Sequence, residues 1–329
     1  MFLPLPLLLD GMRLHLDRLV DATAWKRIES LSAALPPVWD AGCFEIRLGA
    51  GCGQVDFQVC AHGAAGRQAL AQALASGHPL PGGESARPQI QEWIGPETEI
   101  ARRSPVLWLE YDLPGDEVRP PVLFFGGFGP LASARVPRPG EIRRWMKRWL
   151  DLAAPPPDEN RLDLLEHCLR ALPRGSLPRF LATLRPARAS DDLRLVAGLP
   201  TPGIGDWLRE IGWPGEPRRL EWALEARGGF PEAQVHVDVG ESIRPGLGIE
   251  LTASPSLWPR FIQRLGALGL CDERGTAVLD WLGRDKILPP GARWPSAVDR
   301  RVMVKLVLDC EGALSAKAYL IFQAGYTLS

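Results

Sequence analysis

Side chains able to hold an anion or move a proton recur at alternate positions of short apolar runs in this chain. They are Glu45, Arg47, Asp56, Gln58, His62, Glu110, Arg185, Arg194, His236, Asp238, Glu250, Lys305, Lys317 and Tyr319. Alternation with a period of two places such residues on one face of a strand. His236 and Asp238 share a face, and a neighbouring carboxylate raises imidazole basicity, which suits proton transfer. No Ser or Cys is spaced to complete a nucleophilic triad with them. Lys305 and Lys317 fall on adjacent strands, where a buried amine without a partner costs several kcal/mol. They must either pair with acids such as Glu250 or Asp238, or bind an anion. Glu45 and Arg47 carry the same ambiguity: a structural ion pair, or a base beside an anion clamp.

The elements that position these residues come as five strand pairs joined by tight turns: Phe44–Leu48 with Val55–Ala61, Val106–Asp112 with Val122–Phe128, Phe180–Arg185 with Leu193–Leu199, Gln234–Gly240 with Leu247–Thr252, and Val302–Leu308 with Ser315–Phe322. Helical spacing separates successive pairs, over Arg67–Ser76, Ile90–Ile100, Glu141–Leu152, Arg161–Ala171, Ile204–Ile211, Arg218–Ala226, Leu257–Leu268 and Arg274–Leu282. In Glu141–Leu152, an apolar stripe of Trp145, Trp149 and Leu150 opposes Arg143, Arg144, Lys147 and Arg148. Pro155–Pro157 stops that helix and Asp158 caps the next. Strand pairs with short turns require an antiparallel sheet, since a parallel one needs a long crossover after each strand. Closing ten such strands into a ring would turn the polar face into an enclosed lumen. An open sheet with helices on one side would instead turn that face to solvent; the predicted fold takes the closed form, α+β, a ten-stranded antiparallel barrel with a polar lumen surrounded by helices. It is read as one domain over residues 1–329.

Composition narrows the partners. The 38 Lys+Arg against 39 Asp+Glu give a net charge of -1, with no field to recruit nucleic acid or an anionic membrane. No stretch approaches bilayer-spanning length, and the apolar start Phe2–Leu9 reads as the first structural element rather than a signal peptide. The 6 cysteines, Cys43, Cys52, Cys60, Cys168, Cys271 and Cys310, form no C-x-x-C pair and lack His at ligand spacing, so the expectation is a cytoplasmic protein without a metal centre. Gly49–Gly53 has the look of a phosphate-cradling loop, but a strand follows it, so it reads as a hairpin turn. Asp191-Asp192 does not extend into D-D-x-x-D. Gly246 and Gly248 face inward and either leave lumen space or relieve a bend. Most of the 12 Trp, among them Trp145, Trp149, Trp207, Trp222 and Trp281, sit at helical spacing and read as packing between helix and sheet. Arg300 and Arg301 read as a solvated strand end.

A ring of five αββα units resembles the ABBA-type prenyltransferases, including the aromatic and cyanobactin peptide prenylating enzymes. The likeness spans most of the chain but is one of architecture and polarity, carried most closely by the hairpin Cys43–Cys60 with Glu45 and by the strands bearing Lys305, Lys317 and Tyr319. It implies transfer of an isoprenoid group from an allylic diphosphate to an aromatic small molecule or a peptide side chain inside the barrel. Glu45, with His236 and Asp238, would then be catalytic. Arg47, Arg194, Lys305, Lys317 and Tyr319 would bind the diphosphate, with Arg185 a further candidate by parity. Trp108, Glu110, Glu250 and Met303 would line the acceptor and prenyl pocket. No covalently bound cofactor is implied, and Mg2+ accompanying the donor is the one metal it admits. Two features depart from the family pattern: only 3 Tyr are present, and the run Trp108–Asp112 is acidic inward. The alternatives are a non-catalytic barrel binding a peptide or small ligand, and a lyase or cyclase using His236 and Asp238.

Overall fold

Backbone pairing closes the predicted ring. The computed structural model describes residues 3–39, 41–49, 54–115, 117–126, 138–152, 158–184, 187–188, 190–288, 290 and 295–325. Cys52, Arg185, Pro155–Pro157 and most of the turn Gly49–Gly53 lie outside them. The strands are β1 (Ala41–Arg47), β2 (Val55–His62), β3 (Val106–Tyr111), β4 (Val122–Gly126), β5 (Leu177–Thr183), β6 (Leu193–Pro200), β7 (Glu232–Val239), β8 (Ile243–Leu251), β9 (Gly283–Ile287), β10 (Ser296–Leu308) and β11 (Leu314–Gly325). β1 to β8 follow one another in space, β8 pairs with β10, β10 with β11, and β11 returns to β1 through Glu45↔Tyr319 and Arg47↔Lys317. Every pairing is antiparallel.

β9 is an eleventh strand that the sequence reading assigned to no element. It pairs with the first half of β10, from Ser296↔Ile287 to Arg300↔Gly283. That half also lengthens β10, which begins at Ser296 and not at Val302. Arg300 consequently leaves the solvated strand end predicted for it. It is buried, donates to the Trp281 carbonyl at 2.5 Å and pairs with Asp285 at 2.7 Å.

The alternation sorts side chains as expected. Phe44, Phe57, Leu107, Phe125, Leu195, Val235, Ile249, Val304 and Leu320 point outward and are buried in the main core between barrel and helices. Each such burial contributes about 1.5–3 kcal/mol. The helices that cover them are α1 (Leu5–Met12), α2 (Ala22–Ala34), α3 (Gly63–Ala75), α4 (Arg87–Ile94), α5 (Glu99–Arg103), α6 (Pro139–Asp151), α7 (Glu159–Arg170), α8 (Ile204–Glu210), α9 (Pro217–Ala226), α10 (Trp258–Ala267) and α11 (Arg274–Asp280). None is long and apolar enough to cross a membrane. Leu5, Leu8 and Leu9 make α1 part of the core, in keeping with a structural role for the apolar start. Asp158 caps α7 as expected, accepting from Arg161 N at 3.2 Å. On α6, Trp145 and Trp149 are buried, while Arg143 ties the helix to Glu159 and Asp163 of α7. Trp222 departs from the packing role expected of it, being 38% exposed on α9.

Candidate functional site

Because every hairpin turn of the ring lies at one end of the barrel and every helical connection at the other, the lumen has two distinct mouths. Arg47, Lys317 and Arg194 lie toward the hairpin end of their strands, and Arg188 reaches in from the β5–β6 connection. Each is held by a carboxylate. Arg194 makes a fork with Asp238, its Nε and Nη2 donating at 2.7 and 2.9 Å. Lys317 donates to Glu45 Oε1 at 2.5 Å. Arg188 donates to Glu110 and to both oxygens of Asp112, the latter at 2.9 Å. Arg47 lies 3.5 Å from Asp56. These side chains keep partial solvent access, 28% for Arg47 and 31% for Arg188.

A second sector is apolar. Val122, Phe124, Ala182, Leu184, Ala187 and Val196, with Trp108 and Phe180 against them, form a cluster separate from the main core. By strand parity it occupies the inner wall of β3 to β6. Met303, opposite Tyr319 in the β10–β11 register, is inward and half-buried.

Facing the same lumen are Glu45, Glu110, His236, Glu250, Lys305 and Tyr319, all buried. Burial alone would raise the Glu45 pKa, yet Lys317 and Lys305, with hydrogen bonds from Lys317 and Tyr319, bring it down to about 2. Such a carboxylate is firmly ionised and accepts hydrogen bonds better than it stores a proton. Glu110 goes the other way: burial lifts its pKa, opposed by Arg188. Its second oxygen accepts from Gln58 Nε2 at 2.9 Å.

Lys305 donates to His236 Nδ1 at 3.0 Å. An ammonium has only donors, so Nδ1 must offer its lone pair and the ring proton resides on Nε2. Nε2 faces Glu250 Oε2 at 3.2 Å, at an angle that makes no hydrogen bond. Glu250 Oε1 accepts from Gln234 Nε2 at 2.8 Å. Burial, with the positive charge of Lys305, pushes His236 well below the usual imidazole range and keeps it neutral. Burial also raises Glu250 to about 7 and, helped by Arg194, lowers Lys305 to about 8.

Apart from His62, the structure thus gathers the described candidates around one lumen but pairs them differently from expectation. Asp238 belongs to Arg194 and not to His236, whose partners are Lys305 and Glu250. Glu45 pairs across strands with Lys317 rather than with Arg47. Lys317 likewise takes neither Glu250 nor Asp238. His62 sits exposed beyond the end of the lumen face, where α3 begins. Sequence reasoning missed Arg188, which lies in a connection where parity carries no information. Among the described residues, no group of three or more His, Cys, Asp or Glu is placed to hold a metal ion.

A closed ten-stranded antiparallel barrel with a polar lumen and a helical sheath is the prenyltransferase barrel fold. Among solved structures, the prenyltransferase PriB in its apo form superposes with a TM-score of 0.58 at 12% identity, covering 98% of this chain and 96% of that one. PriB in ternary complex with L-tryptophan and dimethylallyl thiolodiphosphate gives 0.53 at 13% identity, with 97% and 94% covered. The 5-dimethylallyltryptophan synthase from Streptomyces coelicolor gives 0.53 at 11% identity, with 99% and 97% covered. At these identities the likeness is one of fold. No protein-family sequence model matches the chain, and no curated protein matches it in sequence.

Proposed function

We propose that this protein transfers a prenyl group from an allylic diphosphate to an aromatic acceptor inside the barrel. The observation that carries the reading is the placement of Arg47, Arg188, Arg194 and Lys317 at one mouth of the lumen whose inner wall bears Trp108, Phe124 and Phe180. Heterolysis of an allylic C–O bond requires cations around the departing diphosphate and walls that do not trap the carbocation as water would. Charge-assisted hydrogen bonds to phosphate oxygens contribute roughly 1.5–3 kcal/mol each. Trp108 and Phe180 offer π faces to the allyl cation, and Glu45 orients the acceptor by accepting from its N–H or O–H. Lys305 and Tyr319 face the same lumen, and Met303 adds a soft face to it. That PriB binds L-tryptophan together with a dimethylallyl thiolodiphosphate in the same kind of barrel supports the donor and acceptor classes.

The test is incubation with dimethylallyl or geranyl diphosphate, with and without Mg2+, in the presence of L-tryptophan, L-tyrosine or short peptides containing them. The expected result is thermal stabilisation by the donor, about 2.7 kcal/mol at a hundredfold excess over Kd, and an acceptor heavier by one prenyl group. A second reading, a non-catalytic barrel for a peptide or small ligand, is favoured by one feature: each cation at the mouth is already matched to a carboxylate. Absence of stabilisation by either diphosphate would select it.

A further inference from the structure

The lumen carboxylates differ in how their charge is met. Glu45 is matched to Lys317, Asp56 to Arg47, Glu110 and Asp112 to Arg188, and Asp238 to Arg194. Glu250 stands apart: among the described residues it forms no ion pair with Lys or Arg, and its one close charged-type neighbour is the His236 ring. Its Oε1 accepts from Gln234, while the only near polar neighbour among the described contacts of Oε2 is His236 Nε2 at 3.2 Å, an atom that makes no hydrogen bond. It therefore retains an oxygen lone pair free for a proton, in a residue 6% exposed. The ammonium of Lys305 lies one imidazole away and fixes the ring tautomer, which turns an N–H toward the carboxylate.

We propose that Glu250 is the proton acceptor of the reaction, with His236 and Lys305 as positioning residues that keep its carboxylate ready. The proposal rests on the prenyl-transfer reading and assigns to β8 the step that the family resemblance gives to Glu45. After the acceptor ring attacks the allyl cation, the C–H bond at the substituted carbon breaks. Its electron pair restores aromaticity and the proton forms an O–H bond at Glu250 Oε2; the diphosphate, which took the electron pair of the allylic C–O bond when the cation formed, departs as the anion. Water then takes the proton from Glu250 as product departs. Lys305 stays an ammonium throughout and His236 stays neutral, so no further reactant is needed. The charges facing this group are Lys305 on β10, Glu45 on β1 and Glu110 on β3; Arg194 on β6 and Lys317 on β11 act on its His236 neighbour. The raised pKa of Glu250 fits the role, because a general base works best with a pKa close to the working pH.

The experiment compares wild type, Glu250→Gln, Glu45→Gln and His236→Asn as full chains, with dimethylallyl diphosphate and a panel of L-tryptophan, L-tyrosine and a dihydroxynaphthalene. Glu250→Gln should lower kcat by roughly 100- to 10,000-fold with donor-induced thermal stabilisation unchanged. Wild-type kcat should fall on the acid side of about 7, and His236→Asn should displace that limb. Turnover by Glu250→Gln near the wild-type rate, or an acid limb that survives in it and vanishes in Glu45→Gln, overturns the proposal. Should wild type give no product with any acceptor, the prenyl-transfer reading fails, and carboxyl 13C NMR of the glutamate-labelled protein still decides the proton-accepting claim. The signal absent from Glu250→Gln should titrate near 7; one that stays ionised into the ordinary glutamate range overturns it.

Discussion

Lys305 reaches His236 across Gly248. A Cβ at position 248 would fall 2.2 Å from Lys305 Cε and 3.2 Å from His236 Cβ, so the missing side chain is what lets the ammonium lie over the strand and donate to Nδ1 at 3.0 Å. The space that an inward glycine leaves is filled here by a neighbouring lysine. Gly248→Ala should keep the fold, since the far end of a lysine can swing aside, at a cost of about 1 kcal/mol from crowding. The imidazole would lose its donor and the tautomer its lock. Urea unfolding checks the first outcome. The second is read from 15N NMR of His236, where a single Nε2–H tautomer in wild type should become a mixture.

Acid should weaken the protein through Glu45. Its folded pKa, about 2 against an ordinary 4.5, is depressed by Lys317 and Lys305 against the opposing effect of burial. The sign follows from linkage: stability from this group is present above the unfolded pKa and is lost as pH falls from about 4.5 through about 2. The size is on the order of 3 kcal/mol. In Glu45→Gln this component of acid sensitivity should disappear, measured as the pH dependence of the urea midpoint between those values.

How much of this was readable beforehand depends on which physical signal each residue gives. Parity alone places Glu45, Lys317, His236 and Lys305 on one face, because their neighbours Phe44, Ala318, Val235 and Val304 are apolar, and the structure buries those neighbours outside the lumen. Which acid meets which cation was not legible. Arg194 takes Asp238 because Arg194↔Asp238 is a register pair, and Glu45 meets Lys317 across a ring closure between residues 272 positions apart. Register between distant strands leaves no local trace in composition. β9 was missed for a different reason: Gly283–Ile287 carries Arg284, Asp285 and Lys286 in succession, which hides any apolar alternation. Arg188 sits between β5 and β6, where periodicity has ended.

Arg188 joins the β5–β6 connection to Glu110 and Asp112 on the other side of the apolar wall. Arg188→Gln would leave Glu110, 5% exposed, without its cation. Removing one partner of a buried pair costs about 3–5 kcal/mol, and the partial access of Arg188 reduces that to about 2 kcal/mol. Adding Glu110→Gln should restore most of the loss, because the uncompensated charge is then gone. The urea midpoints of the single and double variants form the measurement.

The apolar wall should set donor length. Phe180 is half-buried against Val122, Phe124 and Val196, on the inner face of β5. Phe180→Ala would open room beside Trp108 for a longer isoprenoid chain. If the prenyl-transfer reading holds, the ratio of geranyl to dimethylallyl use should rise by about tenfold, the scale of one or two methylenes in an apolar pocket. Competition between the two donors, read by mass spectrometry of the product, gives the ratio directly. An unchanged ratio would place the chain elsewhere in the lumen.

Glu250 makes a prediction opposite in sign to that of Glu45. Its folded pKa is raised to about 7 by burial, against 4.5 for an ordinary glutamate, with Glu45 and Glu110 adding to the rise and Lys305 opposing it. Between those two values the native state holds a proton that the unfolded chain has released. Stability must therefore fall as pH rises from about 4.5 through about 7, and level off above it. Glu250→Gln removes the titration and keeps an acceptor for Gln234. The variant should consequently match wild type near the low end of this window and exceed it in stability above the high end. Lys305 moderates the difference, since the variant removes a nearby negative charge from it while its own pKa of about 8 leaves it charged through most of the range. Unfolding midpoints across the window would show two curves that diverge upward with pH. Parallel curves would mean that the Glu250 carboxyl ionises as it does in water, and the buried Glu250–His236–Lys305 chain would then lack the poise that its geometry gives it.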